Sequence, residues 1–216
     1  MATTRSHAKI AYRSGCRDAL ARLRITVVGT GNWRTDDNVV ARVRATGADA
    51  VFLAGSFTPA EAPPLIRALR RRLPPNVKLL APDGFFVVPW LAKLTGAAAE
   101  GMTISRAGLP LNRLPPTGAR FVARFRAAIG DEPDPYSVYA AQATEVLLDA
   151  IARSDGTRAS IAHELFATRV HDGLIGSFAI TQQGDTTAGD VTIYRVHRGA
   201  LEPSRVIEPS TQLTSH

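Results

Sequence analysis

Short apolar runs alternate with amphipathic stretches along the first half of the chain. Residues 25–28, 50–54, 77–81 and 101–105 are short, mostly apolar segments, interrupted by Thr26, Lys78, Thr103 and Ser105, each with Gly, Pro or Asp at or next to one end, the pattern of strands. Between them lie segments of helical period. Residues 17–23 form a short amphipathic helix, and residues 36–46 set Val39, Val40 and Val43 on one side before stopping at Gly47. Residues 59–73 enter a helix through Pro59, and residues 89–95 form another. Strand and helix in strict turn predict an α/β fold with a parallel, doubly wound sheet.

The pattern changes at residues 106–116, where Gly, Pro, Leu and Asn follow one another without periodicity, as in a crossing segment. Three helices follow, over residues 118–129, 136–154 and 160–168. The second is the longest, and Val138, Ala141, Val146, Leu147, Ala150 and Ile151 give it a broad apolar face that needs cover. Residues 173–180 and 191–196 read as strands around the polar turn Gln182-Gln183-Gly184-Asp185, and residues 201–216 read as a tail. This second region has too little sheet to bury three helices, so an isolated chain is expected to self-associate or to be poorly stable.

The strand ends carry the candidate chemistry. Leu79-Leu80-Ala81-Pro82-Asp83-Gly84 is an apolar strand ending in one carboxylate before glycine, and Ala50-Val51-Phe52-Leu53-Ala54 stops at Gly55-Ser56-Phe57. In open α/β sheets ligands dock at the carboxyl ends of strands, which makes Asp83 a ligand-binding candidate; a turn aspartate before glycine is the structural alternative. Phe85, Phe86 and Trp90 follow closely, either as pocket lining or as core.

Charge and cysteine content narrow the classes. There are 26 basic against 19 acidic residues, a net charge of +7, but only Lys9, Lys78 and Lys93 are lysines. The cluster Arg67, Arg70, Arg71, Arg72 closes a helix, where cations favour the dipole's negative end, and no aromatics interleave with it as a single-strand binder would need. A nucleic-acid partner is therefore not expected. Cys16, alone in the chain, excludes an intrachain disulfide and has no neighbouring His to make a catalytic pair. His163 and His171 stand apart from acids, Asp185 and Asp190 lack calcium-loop spacing, Gly29-Thr30-Gly31 lacks a third glycine, and there is no Gly-x-Ser-x-Gly elbow. No enzyme, metal or cofactor is expected. Residues 1–11 contain no apolar core of a secretion signal.

The order of motifs resembles the carboxyl-terminal part of type I periplasmic solute-binding proteins of the branched-chain amino acid (Leu/Ile/Val) receptor family. The pieces are Tyr12-x-x-Gly15, Gly47-Ala48-Asp49-Ala50-Val51, Ala81-Pro82-Asp83-Gly84, Ala98-Ala99-Glu100-Gly101-Met102, Phe121-x-x-x-Phe125 with Gly130 and Pro133, and Gly173-Leu174-Ile175-Gly176 followed by Gln183-Gly184-Asp185. The resemblance implies two α/β lobes joined by crossing segments. Residues 12–105, completed by 186–200, would be lobe two; residues 106–116 a crossover or hinge; residues 117–181 the returning part of lobe one; the amino-terminal part of lobe one would be missing. It further implies the ligand-binding component of an ABC importer, periplasmic or extracellular, with a transporter permease as partner and an amino acid or other small carboxylate as ligand. Asp83 stands where the family places an ammonium acceptor, Phe57 where the amino acid receptors tend to place tyrosine, and Tyr12 and Tyr136 at positions that reach the cleft, with Ser56 a further polar candidate. A sensor domain of a regulator or receptor with the same fold is the alternative; a basic nucleic-acid binder ranks below both.

Overall fold

The computed structural model describes residues 19–33, 38–86 and 90–208. Contacts divide the chain into two units, one running to Val51 and including Thr58–Lys78, the other formed by Phe52–Phe57 and Leu79 onward.

In the first unit, a helical turn at residues 19–22 is the described part of the expected 17–23 helix. Helix α1 (Val39–Ala45) lies inside the segment read as helical. Strand β1 (Ala50–Phe52) and helix α2 (Ala62–Arg72) follow. Pro63 and Pro64 sit in the first turn of α2, where a missing N–H costs no intrahelical bond, and Arg70, Arg71 and Arg72 fill its last turn, where they complement the dipole. Ala62, Pro63, Leu65, Ile66 and Leu69 form its buried side, and Arg70 donates to the Val77 carbonyl at 3.0 Å. Residues 25–28, expected to be a strand, are not one. Ile25, Val27 and Val28 are 52, 46 and 53% exposed, and the sheet order begins at β1, so these residues join no ladder.

The sheet has the order β1, β2 (Lys78–Ala81), β3 (Thr103–Ala107), β6 (Val191–His197) and β7 (Ala200–Ile207). Strand β2 (Lys78–Ala81) leads into a 3-10 turn, Asp83–Phe85, and then helix α3 (Trp90–Thr95), before β3 (Thr103–Ala107) pairs with β2 in parallel. Strands β6 (Val191–His197) and β7 (Ala200–Ile207) extend the sheet antiparallel, with Ile104 opposite Tyr194 and Arg106 opposite Thr192 across β3 and β6. Strand β7 replaces the expected tail over residues 200–207. Its polar composition hides it from a hydrophobicity reading, but its backbone pairs along most of β6, with Pro203 opposite Tyr194 next to a register shift.

Helices α4 (Pro116–Ile129), α5 (Pro135–Arg153) and α6 (Arg158–Phe166) fall within three residues of expectation at either end. Gly130, with φ 82°, ends α4 in the left-handed conformation that glycine adopts without strain. Asp134 caps α5 by accepting from the Tyr136 N–H, and Thr157 caps α6 by accepting from Ser160. Val122, Val138 and Leu174 form a small core with Leu111, Leu114, Phe121, Ala141 and Ile175. The apolar face of α5 is divided: Val138, Val146 and Ala150 are buried, whereas Leu147, Leu148 and Ile151 are 44, 60 and 42% exposed. The run read as one strand at residues 173–180 is a hairpin of β4 (Arg169–Gly173) and β5 (Gly176–Ala179), turning at Leu174-Ile175.

Two contacts pin the second unit locally. The Gly84 backbone runs so close to the loop after β1 that a Cβ there would lie 2.7 Å from the Gly55 carbonyl and 2.9 Å from Ser56 Cα, while the Phe57 N–H donates to the Gly84 carbonyl at 2.8 Å. At the end of β6, Glu100 Oε1 lies 3.0 Å from His197 Nδ1, and Glu100 Oε2 accepts from the Arg198 N–H in the following turn at 2.9 Å.

Gly84→Ala is expected to destabilise the protein by about 1–3 kcal/mol, because the added methyl meets backbone and cannot be relieved by a rotamer change; urea unfolding measures this. The His197 hydrogen bond, foremost, holds the Glu100 carboxyl below the ordinary carboxylate range. A carboxyl that is a stronger acid when folded contributes stability that is complete above its unfolded pKa and is lost as pH falls through the folded value. Urea midpoints of the wild type and Glu100→Gln should therefore differ near neutral pH and draw together as the pH is lowered through the range where the folded carboxyl protonates.

Candidate functional site

The carboxyl end of β2 carries Asp83 into the open. Pro82 ends the strand and the 3-10 turn begins at Asp83, so the carboxylate sits at the sheet edge, exposed, while Phe85 of the same turn is completely buried. The Asp83 carboxylate accepts a hydrogen bond from the Tyr136 hydroxyl at 3.1 Å. Tyr136 stands in the first turn of α5, 53 residues further along the chain, and 45% of its surface is exposed. Two of the sequence-derived candidates are thus in direct contact.

Ser56 and Phe57 border the same turn from the loop after β1. The hypothetical Cβ at Gly84 would lie 2.9 Å from Ser56 Oγ, and Phe57 is tied to Gly84 through its backbone. The Phe57 ring, however, is buried and meets Phe85 edge-on at 6.0 Å between centroids, so it supports the turn from the core. Tyr12 lies outside the described residues. Of the aromatics after Asp83, Phe85 is core, Trp90 is 52% exposed with Lys93 Nζ 5.3 Å from its ring, and Phe86 is half-buried.

Behind Tyr136 is a group that the sequence reading passed over. Arg106 ends the inward-facing series of β3, whose burial alternates through Ile104 and Arg106, and it is 3% exposed. Its guanidinium carbon lies 4.0 Å from the Tyr136 ring centroid and 4.5 Å from that of Phe86. Phe86 in turn meets Tyr194 edge-on at 4.6 Å. Arg106 Nη2 reaches Asp134 at 3.4 Å, and Asp134 is the residue that caps α5 at Tyr136. The signal was available in principle: period-two alternation places Arg106 on the face of Ile104.

Burial pushes the Tyr194 phenol up, opposed by the Arg106 charge; burial likewise pushes up the Tyr139 phenol, whose oxygen accepts from the Leu109 N–H at 2.9 Å. Tyr139 therefore anchors the segment after β3 to α5 as a neutral group. An open hollow of about 370 Å³ on the β6–β7 hairpin is lined by Arg195, His197, Glu202, Pro203 and Ser204 and contains none of the expected site residues. Among the described residues there is no grouping of three or more His, Cys, Asp or Glu side chains suited to a metal ion, and no helix is long and apolar enough to cross a membrane.

The strand end thus offers an exposed carboxylate beside a tyrosine hydroxyl, backed by a buried cation, with charge and hydrogen-bonding positions open to solvent. Comparison with known proteins agrees with a binding fold. No curated protein matches the chain. Among solved structures, the leucine-binding protein of Thermotoga maritima is 26% identical, with a TM-score of 0.69 over 86% of this chain and 51% of that one. A putative branched-chain amino acid ABC transporter protein of Rhodospirillum rubrum is 25% identical, with a TM-score of 0.65 over 87% of this chain and 55% of that one. A solute-binding protein of R. palustris in complex with benzoate, 15% identical with a TM-score of 0.63 over 91% of this chain and 55% of that one, shares the fold. The chain thus spans about half the length of these relatives. The fold is the α/β architecture of type I periplasmic binding proteins, whose members bind solutes. A family model described as periplasmic binding protein matches residues 1–200, and the chain belongs to that family.

Proposed function

We propose that this chain acts in solute capture for an ABC importer, holding an amino acid or a related small carboxylate without chemical change, in the periplasm or outside the cell, and delivering it to a transporter permease. The reading rests chiefly on one observation, the exposed Asp83 carboxylate at the end of β2 with the Tyr136 hydroxyl directed at it. A free amino acid presents an ammonium, which needs a fixed anionic partner once water is excluded. Asp83 is that partner. The Tyr136 hydroxyl uses one acceptor position of the carboxylate and leaves the others for ammonium N–H groups. Ser56 adds a hydroxyl and Phe57 backs the turn, and Tyr12 belongs to the proposal by the family resemblance alone. Division into lobe two (residues 12–105 with 186–200) and a returning part of lobe one (117–181) across a crossover at 106–116 belongs to the same proposal. The leucine-binding relative at 26% identity supports the choice of ligand class.

Isothermal titration of the 216-residue chain with L-leucine, L-isoleucine and L-valine tests the reading, with benzoate as a carboxylate that has no ammonium. Binding of at least one amino acid is expected, with a dose-dependent rise in thermal stability that reaches about 2.7 kcal/mol at a hundredfold excess over Kd. Asp83→Asn should weaken that binding by about 1.5–3 kcal/mol, the worth of a charge-assisted hydrogen bond. Unchanged affinity in Asp83→Asn, or preference for benzoate over all three amino acids, removes Asp83 from the ammonium role.

A further inference from the structure

Arg106 is the one feature of this site that solute capture at Asp83 does not by itself account for. A guanidinium taken out of water has a large desolvation cost, recovered only through good partners. Arg106 is 3% exposed, yet among the described residues its Nε and Nη1 are buried with no hydrogen-bond partner, and its one ion pair there is a 3.4 Å contact to Asp134, whose own side chain is 67% exposed. An apolar side chain of similar size would serve the core as well or better. Further compensation comes from the faces of Tyr136 and Phe86, with the Tyr194 phenol also beside the guanidinium.

Those contacts converge on one place. The cation lies against the Tyr136 ring while the same guanidinium reaches Asp134, which fixes the backbone of Tyr136 through the helix cap. Ring and backbone of Tyr136 are therefore both held from the Arg106 side, and the hydroxyl at the far end of the ring is directed to Asp83 at 3.1 Å. We propose that Arg106 is a positioning residue for the Asp83–Tyr136 pair: it fixes the tyrosine ring so that the carboxylate is oriented before a solute arrives, at the expense of core stability. The ligand consequence rests on the solute-capture reading above; the positioning itself does not.

The test measures coupling, which a merely structural role would not remove selectively. A double-mutant cycle of Asp83→Asn and Tyr136→Phe, read as urea unfolding of the 216-residue chain, is expected to give a coupling factor of about three in the unfolding equilibrium constant. In an Arg106→Met background the factor should fall to about one while the unfolding midpoint is retained or raised, and Arg106→Lys, which keeps a cation over the ring, should restore it in part. A factor that persists in Arg106→Met overturns the proposal, as does the absence of coupling in the wild type. If Arg106→Met does not fold, Phe86→Leu, which removes one of the two rings against the guanidinium, carries the same cycle with the same two outcomes. L-leucine titration supplies the second arm. Arg106→Met and Tyr136→Phe should each weaken binding about tenfold, with no further loss when combined. Failure of the wild type to bind L-leucine counts against the assigned ligand, while the unfolding cycle still decides the role of Arg106.

Discussion

A buried guanidinium has few ways to be compensated, and in the second unit that constraint ties three segments together. Strand β3 alternates its side chains, so the position after Ile104 and Ser105 carries Arg106 inward, beneath the ends of β2 and α5. The charge is met by aromatic faces from the 3-10 turn region and from α5, and by the carboxylate that caps α5. Each of these partners has a second task. Phe86 packs on Tyr194, Asp134 starts a helix, and Tyr136 reaches Asp83. The Asp83–Tyr136 contact at the end of β2 is thus joined to the way the interior handles one positive charge.

Much of the scaffold was legible because its signals are local. Glycine after α4 and the apolar periodicity of the helices depend on neighbours a few residues away, and the expected elements lie close to the observed ones, although α2 starts at Ala62 rather than at Pro59. The misreadings have a common cause, which is that pairing is not local. Residues 25–28 are as apolar as a strand should be but find no partner strand among the described residues, whereas residues 200–207 look like polar tail and acquire their structure from β6. The β4–β5 hairpin was read as one strand because Leu174 and Ile175 keep the turn apolar, and Leu174 is in fact core.

The candidate site divides in the same way. Asp83 could be found from the strand that precedes it, since Pro-Asp-Gly after an apolar run marks a strand end carrying a charge. Its hydrogen bond to Tyr136 could not, because 53 residues separate them and no periodicity connects a sheet edge to a helix start. Phe57 was a ligand-binding candidate by family resemblance, and its ring packs in the core. Arg106 was overlooked because arginine at a strand end beside a Gly/Pro-rich segment normally marks the beginning of solvent.

Strand β7 has an effect beyond completing the ladder. It is the last strand in the sheet order, and the outermost strand of an open sheet is a template on which another polypeptide can add itself. Pro203 offers no N–H to such a newcomer, and the register shift opposite Ile193 and Tyr194 breaks the straight line a template requires. Fibrous growth from this side of the sheet is hindered by the same residues that make the segment hard to recognise as a strand.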